Sequence, residues 1–80
     1  MPRIVHTPAE LHDVLVTIIV GTAGGVAQDW STAIGEVEKL PIATNVRSNW
    51  RVRPTGSKAQ LGVIRRAVEV VRAAHPYVAG

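Results

Sequence analysis

Two helix starts stand in this chain with the same internal spacing, Thr7-Pro-Ala-Glu10 and Ser57-Lys-Ala-Gln60, and each opens an apolar stripe. In such a start the hydroxyl accepts from the N–H three residues on, and the carboxylate or carboxamide there reaches back to the cap N–H. Pro8 takes the opening helical position, where a missing N–H costs nothing. Leu11, Val14, Leu15, Ile18 and Ile19 then follow at i, i+3, i+4, i+7 and i+8, which predicts a helix over 8–20. Val14 to Val20 also carries a competing signal, because it is rich in β-branched residues and ends at Gly21 as a buried strand would. Cap and period agree, so the helix is the expectation. Val16 and Val20 lie beside the main stripe, so the apolar arc is wide enough to need a further cover.

The second start predicts a helix over 58–74 with Leu61, Ile64, Val68 and Val71 as its buried stripe, widened by Ala67, Val70 and Ala74. Arg65, Arg66, Glu69 and Arg72 share the opposite face, where Glu69 is spaced to pair with Arg65 and Arg72. Pro76 ends this helix and leaves a short tail. Between the two starts, Trp30, Ala33, Ile34, Val37 and Leu40 predict another helix, capped at Asp29 or Ser31 and stopped by Pro41. From Ile42 to Arg53 the period changes to two. Ile42, Thr44, Val46, Ser48, Trp50 and Val52 alternate with Ala43, Asn45, Arg47, Asn49, Arg51 and Arg53, which predicts a strand or a hairpin broken near Ser48-Asn49. Its partner would be Arg3 to His6, the other arm of its own hairpin, or the same strand of a second chain. Alternation turns Trp50 away from the arginines, toward a core.

The expected fold is therefore α+β and mainly helical, three helices with a short strand or hairpin between helices 2 and 3, in the order α-α-β-α. Eighty residues support one domain, 1–80, because a chain this short buries only ~60% of its unfolded surface. Forty-six per cent of the residues are apolar, above the level of an intrinsically disordered chain. The apolar residues are mostly small, with thirteen Val, ten Ala, six Ile and no Phe, and so thin a core suggests burial shared between subunits. A homodimer with Val16, Val20 and Trp50 at its interface is the expectation. Cysteine is absent, which removes disulfides, Cys-ligated zinc and thiol catalysis, and is compatible with a cytoplasmic setting. The uncharged stretch from Val14 to Gln28 is too short and too rich in Gly and Thr to span a membrane.

Net charge is +3, but residues 1–46 carry −3 and residues 47–80 carry +6. The basic half holds Arg47, Arg51, Arg53, Lys58, Arg65, Arg66 and Arg72 against Glu69 alone. Arginine's planar fork suits bidentate contacts with carboxylate or phosphate. Acidic and basic halves can also face each other, within one chain or between two.

Other constellations are weaker. Gly21, Gly24 and Gly25 match no phosphate-loop pattern, no Lys follows closely, and Asp29 would repel phosphate. His6, His12 and His75, even taken with Asp13 or Asp29, lack the spacing of a metal or acid–base site, and Ser31, Ser48 and Ser57 lack the flanking residues of a nucleophile elbow. No catalytic residue, metal, cofactor or small-molecule substrate is expected. A catalytic site shared in an oligomer would require His or carboxylate groups to converge in one pocket. No segment reads as a helix-turn-helix pair. The sequence thus points to a small regulatory or inhibitory interaction module that sets its cationic strand and last helix against an acidic partner surface. The alternative is sequence-independent nucleic-acid binding through the same arginines.

Overall fold

A computed structural model describes residues 6–79. The chain runs α1 (Pro8–Ala23), α2 (Ala27–Ile34), β1 (Val37–Lys39), β2 (Trp50–Val52) and α3 (Lys58–Ala74), the α+β order expected. Both capping boxes form. Thr7 Oγ1 accepts from Glu10 N at 3.2 Å while Glu10 Oε1 accepts from Thr7 N at 3.1 Å, and Ser57 and Gln60 repeat the arrangement at 3.2 and 2.9 Å. Val14 to Val20 is helical, with Leu11, Leu15 and Ile19 fully buried one turn apart. The helix continues past Val20 to Ala23 and stops at Gly24, whose φ of 75° and ψ of −161° belong to glycine.

The second helix departs most from expectation. It starts earlier, on Val26 with no side-chain cap, so Asp29 and Ser31 lie inside it. It also ends six residues before Pro41, at Gly35, where φ 70° and ψ −154° form a backbone state essentially closed to other residues. Val37, which continues the helical stripe in the sequence, instead opens β1 and is buried from there. β1 pairs antiparallel with β2 in the register Val37↔Val52, Glu38↔Arg51 and Lys39↔Trp50. The strand expected over 42–53 is thus reduced to its last residues, and its partner is a segment read from sequence as helix. Of the other partners considered, residues 3–5 lie outside the described residues. Residues 41–45 turn instead, through Thr44 N to Pro41 O and Asn45 N to Ile42 O, and the Asn45 amide also donates to Pro41 O at 2.9 Å. Alternation supplies two faces but no ladder partner, and here the turn took the backbone donors.

The core lies where α1, α2, the hairpin and α3 meet. Leu11, Leu15, Ile19, Ile34, Trp50, Ile64 and Val71 are its fully buried large side chains. α3 contributes Ile64, Ala67, Val68 and Val71, whereas Val70 is 61% exposed and Ala74 is also exposed, so the stripe is narrower than its sequence implied. Trp50 is 1% exposed inside this core, which removes it from any subunit interface. Its indole N–H donates to His75 O at 2.9 Å. The tail is structural as well: Val78 is buried, and Asn49 holds it through both ends of its carboxamide.

Candidate partner-binding surface

The seven cations of the basic half divide by what they already hold. Arg72 rises from the last turn of α3, where a cation suits the helix C-terminus. Its Nε donates to Ser48 Oγ at 3.1 Å, its Nη2 donates to Trp50 O at 3.0 Å, and its guanidinium carbon lies 4.7 Å from the Trp50 ring centroid. It is a brace between α3 and β2. That explains why the expected pair with Glu69 does not form among the described residues. Arg51 Nε donates to Glu38 Oε2 at 2.8 Å across the hairpin, and Arg53 Nε lies 3.5 Å from Glu38 Oε1. The Arg51 hydrogen bond, assisted by the charge of Arg53, holds the Glu38 carboxyl below its ordinary pKa. Of the five acidic residues in the first half, Glu38 is the one that takes arginines among the described residues. Arg47, Lys58, Arg65 and Arg66 are exposed and make no ion pair with a described carboxylate.

Two adjoining grooves decide which cations act together. One, of about 430 Å³, runs between β2 and α3, with Arg51, Arg65, Arg72 and Glu69 around Val52 and Leu61. The other, of about 460 Å³, lies over the 44–48 loop and is lined by Arg47, Arg51 and Arg72 beside Leu40 and Val46. Arg51 and Arg72 line both. Arg47, Arg51, Arg65 and Arg72 therefore line two grooves that meet at Arg51 and Arg72. Arg53 and Lys58 do not line these grooves, and Arg66 borders a third, apolar groove of about 320 Å³ between α1 and α3, with Ile18, Val63 and Val70. Strand alternation and helix periodicity named the cations, but they could not show that Arg72 bridges the two elements. Each guanidinium carries five N–H donors, so Arg51 and Arg72 keep donors beyond those used internally. The surface can grip carboxylates or phosphates against an apolar floor.

Val16 and Val20, expected at a subunit interface, are half-buried, and Val16 packs against the chain's own core.

Sequence reasoning weighed His12 with Asp13 but missed their meeting with Ser31. A cleft of about 650 Å³ between α1 and α2 is lined by His12, Asp13, Ser31 and Glu36. His12 Nε2 lies 3.3 Å from both Ser31 Oγ and Ser31 O, and its Nδ1 lies 3.5 Å from Asp13 Oδ1. His12 and Ser31 are 19 residues apart, and no local signal joins them. The order of groups is that of a nucleophile relay, but the surroundings oppose one. The Gly35 N–H is committed to Ser31 O at 3.1 Å, and the Asp13 and Glu36 carboxylates would repel a developing oxyanion. The His12–Ser31 contact also ties α1 to α2. His6 and His75 meet edge to face at 4.7 Å near Glu10, whose carboxyl is held below its usual pKa by the Thr7 backbone and side-chain hydrogen bonds and by His6. Among the described residues no group of three His, Asp or Glu could hold a metal ion, and no helix is long and apolar enough to cross a membrane. Comparison with protein-family models, curated proteins and solved structures finds no match to the chain.

Proposed function

We propose that this chain is a non-enzymatic interaction module, regulatory or inhibitory in role, that engages an acidic protein surface through Arg47, Arg51, Arg65 and Arg72. The observation that carries the reading is the pair of grooves these arginines line, sharing Arg51 and Arg72, with Arg47 and Arg65 uncommitted among the described residues. Half-buried Val52 and Leu61 between the arginines favour a protein partner, because a phosphate backbone has nothing apolar to place there. Stacking of single-stranded bases is poorly served, since Trp50 is interior and Tyr77 lines neither groove. The proposal includes a cytoplasmic setting, supported by the lack of cysteine, and a homodimer, supported by half-buried Val20 and exposed Val70. Light scattering at high micromolar concentration should then read twice 8.6 kDa, and a monomer mass would remove the dimer.

Fluorescence anisotropy with a labelled oligo-glutamate peptide and a labelled DNA duplex tests the main reading. The peptide should bind, and Arg47→Ala with Arg65→Ala should weaken it about tenfold or more. Duplex binding with a salt slope of about −3.6, the value for four neutralised phosphates, and no peptide binding would establish the nucleic-acid alternative instead.

A further inference from the structure

Resting on that interaction reading, we infer that the groove between β2 and α3 is built for an extended acidic segment with one apolar residue set between two carboxylates. Arg51 stands on the strand side and Arg65 on the helix side, and the half-buried side chains of Val52 and Leu61 line the same groove. About 430 Å³ falls within the ~300–1,000 Å³ of ordinary ligand pockets, enough to take a side chain below the rim. In an extended chain, side chains two apart share a face. A Glu-x-Leu-x-Glu spacing therefore sends both carboxylates and the leucine into the groove together.

Two further features shape the occupant. Arg72 Nη2 already holds the Trp50 carbonyl, and Pro54 beyond β2 has no N–H, so the segment is held by its side chains and does not add as a strand. Glu69 borders the same groove and repels a third carboxylate, which favours spaced charge over a continuous acidic run.

The probes are two labelled, end-capped peptides of equal charge, Gly-Glu-Ser-Leu-Ser-Glu-Gly and the same peptide with Ser in place of Leu. Titrated against the full chain, the leucine peptide should bind about tenfold tighter or more, from burial of its apolar side chain. Arg65→Ala should weaken both peptides, and Leu61→Gln should erase their difference. This comparison is made on the unaltered protein, so it survives a variant that fails to fold. Equal binding of the two peptides overturns the groove inference while leaving the interaction reading in place. If neither they nor oligo-glutamate bind, both fall.

Discussion

Asn49 is the buried polar side chain of this core, and its carboxamide takes the place of a strand partner for the tail. Nδ2 donates to Val78 O at 3.1 Å and Oδ1 accepts from Val78 N at 2.7 Å. The Asn49 N–H donates to Pro76 O at 3.2 Å, and Ala79 N donates to His6 O at 2.9 Å, so residues 76–79 are sewn to both the hairpin and the amino-terminal side. Asn49→Ala leaves the Val78 N–H and C=O without partners. Two such losses cost about 3 kcal/mol, or roughly 12–24 °C in the melting temperature of a domain this size. Arg65→Ala, at an exposed side chain with no partner among the described residues, should stay within about 0.5 kcal/mol. Thermal melts followed by circular dichroism separate the two, and comparable losses would contradict the division between bracing and displayed residues. None of the Asn49 role was legible in the sequence, because the side chain acts across 29 residues and leaves no local pattern. Trp50 was legible in part: alternation sent it inward, but only its 1% exposure shows that the chain's own core covers it.

At the scale of elements, the hairpin is short, and Glu38 clips it across to Arg51 and Arg53. Its folded-state pKa is depressed, so the stability it adds is present above the unfolded value of 4.5 and is lost as pH falls through the folded value. Glu38→Gln should therefore lower the melting temperature near neutrality and make its decline shallower between about pH 5 and pH 3. An unchanged acid limb would show that the clip contributes nothing. The first and last helices were legible because a capping box and a 3.6-residue stripe agree at Thr7 and Ser57. β1 was not, because Val37 sits three residues after Ile34 and seven after Trp30, on the helical stripe. Gly35 was the one contrary sign, and its meaning lies in a backbone angle that the one-letter sequence does not display.

At the scale of the molecule, the segregation of charge along the chain resolves into two uses. Arg51, Arg53 and Arg72 hold the fold through Glu38, Ser48 and Trp50, while Arg47 and Arg65 stand open on the surface that Arg51 and Arg72 complete. The acidic half, except for Glu38, stays away from these arginines, and Asp13 and Glu36 line their own cleft between α1 and α2. A ligand of negative charge should therefore report its position without ambiguity. Backbone amide chemical shifts, followed during titration with the leucine-bearing acidic peptide, test this most directly. The account predicts shifts confined to residues 46–54 and the outward face of α3 around Arg65, with His12, Asp13 and Glu36 unmoved. Shifts centred on the α1–α2 cleft, or none at all at saturating peptide, would contradict it.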